Sequence, residues 1–291
     1  MDTDLLRRIV TTRAERPAAI AEAAAVRRRP RSLVGETGRL MLIAADHPAR
    51  GALRVGADPL AMADRADLLR RLHIALARPG VDGFVGTPDV VEDLLLLGAL
   101  GNKTVIGSMN RGGLAGTTFE IDDKFTAYSA GAIAAAGLEG GKMLCRIDPD
   151  DRSTVLTLQA CADAVTDLAG HQLMAMVEPF ISHRTGGQVR NDLSTEAVVR
   201  SVTVAAALGA TSSHTWLKLP VVDEMERVAA ASTLPVLLLG GEASVEEPDT
   251  LDRWRRALKL PTVQGMVVGR ALLYPPDGDV AGAVDKTVGL L

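Results

Sequence analysis

Eight short apolar segments, each ended by Gly, Pro, Asp or Ser, recur between residues 40 and 269, and stretches of helical period separate them. They are LMLIAAD (40–46), VDGFVG (81–86), KTVIGS (103–108), KMLCRID (142–148), QLMAMVEP (172–179), HTWLKLP (214–220), PVLLLGG (235–241) and VQGMVVG (263–269). The helical patterns cover 59–78, 88–101, 126–137, 153–170, 194–209, 221–232 and 246–259, several opening on Ser, Thr, Asp or Pro and closing on Gly. Strands that are apolar throughout, rather than alternating, belong to a parallel sheet covered by helices on its outside. Eight such units in about 250 residues predict an α/β fold, the closed (β/α)8 barrel. The barrel is expected over residues 39–291, preceded by an N-terminal helical extension over 1–38. An open doubly wound sheet is the competing fold. It normally carries a G-x-G-x-x-G turn after its first strand, and LIAADHPARG has none, while GNKT at 101–104 lacks phosphate-loop spacing.

In a barrel the chemistry sits at the C-terminal strand ends, below which the interior is packed side chains. Side chains alternate along a strand, so one parity faces inward. Leu40, Leu42 and Ala44 then share a face with Asp46. Met174 and Met176 share one with Glu178, Trp216 with Lys218, and Lys142 with Leu144 and Arg146. A lone buried charge costs several kcal/mol unless it is paired, so four polar positions on the inward faces of four strands read as one assembled site. Each also has an ordinary alternative: Asp46 as a turn cap before Pro48, Glu178 as a partner of Arg184, and Lys142 snorkelling at a strand start. Lys218, flanked by apolar residues in TWLKLPVV, is the hardest to explain structurally.

Composition sharpens that point. Lysine supplies six of the 32 basic residues (Lys103, Lys124, Lys142, Lys218, Lys259 and Lys286), so arginine fills most places that need only a cation. A net charge of -4 and four Phe, two Tyr and two Trp offer neither a basic surface nor stacking platforms for nucleic acid. Two cysteines make no disulfide scaffold, and nothing in the chain reads as a signal peptide or membrane span, so a cytoplasmic protein without nucleic-acid or membrane partners is expected. The arginines at 27–29 and 31 are expected as solvated helix ends.

These residues resemble the class I, Schiff-base-forming aldolases of the DeoC/LacD group, closest in motif to tagatose-bisphosphate aldolase-like proteins. IAADHPARGAL is similar to that group's first strand, GGKMLCRIDPDD to its fourth and AMVEPFI to its fifth. TWLKLPVV is similar to the strand bearing the Schiff-base lysine, and LLLGGEAS and MVVGRALLYP to the phosphate-gripping ends of strands seven and eight. The resemblance implies a lyase that cleaves or forms a C–C bond in a phosphorylated ketose or keto-acid sugar and needs no cofactor or metal. Lys218 would form the imine, with Lys142 as the nearby cation that promotes its reactivity. Glu178 would shuttle protons and Asp46 would take the hydroxyl proton as the bond breaks. Gly240, Gly241, Gly269 and Arg270 would hold phosphate.

Arg146 stands where such aldolases often carry Tyr, which implies a different proton donor or a more anionic substrate. His47-Pro48 departs from the usual loop after the Asp, and SHRTGGQVRND (182–192) reads as an insertion able to act as a lid. PVLLLGGEAS lacks the second lysine expected of a deoxyribose-phosphate aldolase. A metal-dependent lyase on the same barrel and a non-catalytic sugar-phosphate-binding barrel are the alternatives. His47 and His183 lie near strand exits, but three convergent ligands are not visible. Apolar helices such as VVEDLLLLGALG ask for burial against the barrel or against a second copy of the chain.

Overall fold

The computed structural model describes residues 3–35, 38–241 and 248–291. Strands β1 (Leu40–Ala44), β2 (Gly83–Gly86), β3 (Thr104–Ser108), β4 (Gly140–Ile147), β5 (Met174–Thr185), β6 (Gln188–Asn191), β7 (Thr215–Leu219), β8 (Val236–Leu239) and β9 (Val263–Val268) form one sheet. Eight of them are parallel and run β1-β2-β3-β4-β5-β7-β8-β9, with β9 pairing back onto β1 to close the barrel. The helices are α1 (Thr3–Glu15), α2 (Ala18–Val26), α3 (Arg65–Leu76), α4 (Pro88–Leu96), α5 (Ala130–Ala135), α6 (Ser153–Gly170), α7 (Thr195–Ala206), α8 (Met225–Ala229), α9 (Pro248–Ala257), α10 (Arg270–Leu273) and α11 (Val280–Val288). None among the described residues is long and apolar enough to cross a membrane.

Strand alternation divides the core in two. Leu40, Leu42, Ala44, Met174, Met176 and Val267 belong to a small cluster inside the barrel, against which Trp216 and Leu33 pack. The opposite parity, Met41, Ile43, Phe84, Met143, Val177 and Leu217 among others, joins the larger layer between strands and helices. The barrel closes at a tight point: Gly265 has φ +143°, and a Cβ there would lie 2.0 Å from the Leu40 carbonyl oxygen. Only glycine lets β9 approach β1 this closely, next to the register shift at Val236/Leu237.

Two expectations change. The 182–192 insertion is a hairpin: β5 continues past the barrel and β6 folds back on it antiparallel, turning at Gly186 (φ +57°) and Gly187 (φ +79°). Its Arg184 reaches Asp151 at 3.5 Å rather than Glu178. The arginines after α2 are not all solvated, because the Arg27 side chain is buried and pairs with Glu139 at 2.8 Å, joined by Arg29 at 2.9 Å. Arg27 also donates to the Lys103 carbonyl, and Glu139 accepts from the Val105 amide, so the N-terminal segment is tied to the base of the barrel. Residues 246–247 of the last expected helix and 242–244 of the LLLGGEAS motif lie outside the described residues.

Candidate active site

The C-terminal strand ends surround a cleft of about 580 Å³. At its floor five charged side chains alternate in sign. Lys218 of β7 lies 2.9 Å from Glu178 Oε1 of β5, and the other Glu178 oxygen binds Lys142 of β4. Lys142 Nζ in turn lies 3.1 Å from Asp46 Oδ2, just beyond β1, and Arg111 from the loop after β3 lies 2.7 Å from the same oxygen. Lys218 is 3 % exposed, Lys142 and Asp46 2 %, Arg111 6 % and Glu178 8 %. Such burial is tolerable because each charge meets one of opposite sign.

The electrostatics follow from that chain. Burial opposes the negative charge of Glu178, but Lys142 and Lys218 outweigh it and bring the carboxyl down to about 2. Asp46 behaves likewise: burial works against its charge, and Arg111, Lys142 and Lys218 hold it well below the usual carboxylate range. Burial lowers Lys142 to about 8, assisted by Lys218 and Arg111 and opposed by Asp46 and Glu178. His47 is driven to about 3, chiefly by burial, with Arg270 and the two lysines adding to it; it is therefore a neutral imidazole.

The other end of the cleft is built from the loops after β8 and β9. Gly240, Gly241, Gly269 and Arg270 all line it. Gly241 has φ +64°, and a Cβ at Gly269 would lie 2.6 Å from the Ala44 carbonyl oxygen, so these turns keep bare backbone at the cleft wall. Arg270 opens α10, and its Nη1 donates to the Arg54 carbonyl at 3.4 Å. Asn191 and Leu193, at the foot of the hairpin, complete the wall on the β5 side.

Lys218, Glu178, Lys142, Asp46, Gly240, Gly241, Gly269 and Arg270 are therefore brought to one cleft. Arg146 is not among its lining residues. Its guanidinium binds the Glu120 side chain and donates to the Glu120 carbonyl at 2.7 Å, which places it on the loop after β3 rather than on the cleft wall where a substrate contact was expected. Sequence reasoning missed Arg111 and Ser108, the latter donating to Asp46 Oδ2 at 3.0 Å. The run SMNRGG at the exit of the third strand, with Ser108, Asn110 and Arg111, was the available signal. Among the described residues no group of three or more His, Cys, Asp or Glu is placed to hold a metal ion.

Comparison with known proteins bears on fold and family. A crystal structure of Cgl0159 from Corynebacterium glutamicum is 52% identical, with a TM-score of 0.96 over 100% of this chain and 97% of that one. A Schiff-base-forming fructose-1,6-bisphosphate aldolase superposes with a TM-score of 0.63 at 21% identity, covering 93% of this chain and 99% of that one. An archaeal fructose-1,6-bisphosphate aldolase, whose catalytic Lys is covalently bound to the carbinolamine intermediate of its substrate, gives 0.63 at 20% identity over 93% and 98%. At such identities these two share the fold. No curated protein matches the chain. The model of the Cgl0159-like family matches residues 38–288, and the chain belongs to that family.

Proposed function

We propose that this protein is a class I aldolase that cleaves or forms a C–C bond in a phosphorylated ketose or keto-acid sugar through an imine on Lys218, acting as a cytoplasmic lyase without cofactor. The observation that carries this reading is the buried Lys218 amine, 2.9 Å from a carboxylate and backed by a second lysine, at the floor of a cleft whose far wall is glycine backbone and Arg270. Its fold, shared with aldolases that use a covalent lysine, supports the same reading.

The chemistry follows from the positions. Lys218 gives a proton to the Glu178 side, and its free amine attacks the ketone carbon to form a carbinolamine. Glu178 returns the proton to the departing hydroxyl, water leaves, and a protonated imine remains. That cation draws the electrons of the bond between the carbons α and β to it as Asp46 receives the proton of the β-hydroxyl, releasing an aldehyde and leaving an enamine. Reprotonation of the enamine and attack of water on the imine free the second product and the amine. The Gly240–Gly241 and Gly269–Arg270 turns hold the phosphate, whose binding aligns the ketone with Lys218.

Borohydride reduction in the presence of fructose bisphosphate, tagatose bisphosphate and a keto-acid sugar phosphate tests the proposal. A reduced adduct is expected on the peptide containing Lys218 with at least one of them, and Lys218→Ala should abolish both adduct and turnover. Absence of any adduct across the panel, an adduct on Lys142 instead, or a fully active Lys218→Ala variant would sink it.

A further inference from the structure

Asp46 is held unevenly. Its Oδ2 accepts from Ser108 at 3.0 Å, Arg111 at 2.7 Å and Lys142 at 3.1 Å, while Oδ1 accepts a hydrogen bond from no described residue and lies 3.8 Å from His47 Nδ1. Three donors leave Oδ2 no room for a substrate hydroxyl. Oδ1 keeps its lone pairs.

Arg111 does more than supply one of those donors. Its second terminal nitrogen donates to the Asp46 backbone carbonyl at 2.9 Å, so one planar guanidinium grips both the carboxylate and the main chain of the same residue. A lysine or glutamine lacks this planar fork of two terminal nitrogens. Arg111 is itself fixed by a framed loop. Arg50 donates to the carbonyls of Asn110 at 2.6 Å and Gly113 at 3.0 Å, on either side of Arg111, and pairs with Asp123. The Asn110 side chain makes two hydrogen bonds to the Leu144 backbone of β4, at 2.6 and 2.8 Å. Arg146 closes the loop from the other side through Glu120. Three buried arginines and two carboxylates thus converge on a loop that contributes one side chain, Arg111, to the cleft floor.

We propose that Arg111 is a positioning residue of the reaction, which locks Asp46 so that Oδ2 faces the protein and Oδ1 alone meets the substrate. The inference deepens the aldolase reading and rests on it for its kinetic consequence, but the geometry of Asp46 can be tested without turnover. The charged groups facing Asp46 are Arg111 from the β3 loop, Lys142 from β4 and Lys218 from β7, with Glu178 of β5 acting through Lys142; the adjacent titratable group, His47, is neutral. Arg111 is the strongest of the groups that favour the ionised carboxylate, so its removal raises the pH at which Asp46 takes up a proton.

The test uses the full chain with Arg111→Gln, Arg111→Lys, Asp46→Asn and the Arg111→Gln/Asp46→Asn pair. Carbon NMR of labelled Asp side chains should show Asp46 titrating at higher pH in Arg111→Gln than in the unsubstituted protein, with Arg111→Lys between them. An unchanged Asp46 titration in a folded Arg111→Gln protein overturns the inference, whatever the substrate. In turnover, Arg111→Gln should lose about 100-fold in C–C cleavage, the scale of a misplaced reacting group, while still trapping a phosphorylated ketone on Lys218. Its pH–rate profile should fall off at higher pH on the acid side. The Asp46→Asn substitution should cost much less in the Arg111→Gln background than alone. Additive losses, or turnover within threefold of the parent, would also overturn it. Failure to trap any adduct in the parent protein strikes the aldolase reading instead, and leaves the NMR arm to decide the role of Arg111.

Discussion

A carboxylate shared by two buried lysines has consequences for stability as well as for chemistry. Glu178 is held at about 2 in the folded chain against an ordinary value of 4.5. The unfolded chain takes up that proton first, so acid favours unfolding, and the stabilisation present above 4.5 is lost as the pH falls towards 2. Glu178→Gln should remove this part of the acid sensitivity. It should also cost about 3 kcal/mol at pH 7, because it leaves buried ammonium groups without their carboxylate; urea unfolding at stepped pH measures both effects. Lys218, Lys142, Glu178 and Asp46 were legible in the sequence, since alternation along apolar strands places a charge inside each of four strands and the four together ask for one another. Arg111 was not. Its position is set by Arg50 and Arg146, which come from other parts of the chain and pair with Asp123 and Glu120 of its own loop, and no periodicity reports such a clamp.

Among the elements, those whose boundaries are set by local chemistry were the most readable. The 153–170 helix is found where its pattern placed it, and each barrel strand falls on its apolar segment with ends moved by a few residues. The β5–β6 hairpin was not read, because SHRTGGQVRND lacks alternation, although Gly186-Gly187 is the two-residue turn that a tight hairpin favours. Where β9 meets β1, the Gly265 contact with Leu40 makes its own prediction. Gly265→Ala should destabilise the barrel by about 1–3 kcal/mol, the usual cost of forcing a side chain into glycine-only backbone. Denaturant unfolding would reveal it as a lower midpoint with unchanged slope.

For the molecule as a whole, the two ends of the barrel have separate duties. The base is sealed by Arg27 and Arg29 on Glu139, an arrangement that neither charge runs nor hydropathy could reveal because both partners read as surface residues. Arg27→Ala should lower thermal stability by about 2–3 kcal/mol through the weakened buried pair and leave turnover intact, since every cleft residue lies at the opposite strand ends. Among the described residues, the cleft is lined by six Lys or Arg side chains and three carboxylates, although the chain carries a net charge of -4. That local excess should draw in anionic substrates, so kcat/KM for a sugar phosphate should fall as salt rises, and a salt-independent value would contradict it. The alternating row on the floor, Arg111, Asp46, Lys142, Glu178 and Lys218, has an odd number of members and so begins and ends on a cation. In the proposed reaction the protonated imine takes the place of the Lys218 ammonium with the same charge. The covalent intermediate then inherits surroundings already arranged for it, and the protein need not reorganise its dipoles when the bond to substrate forms.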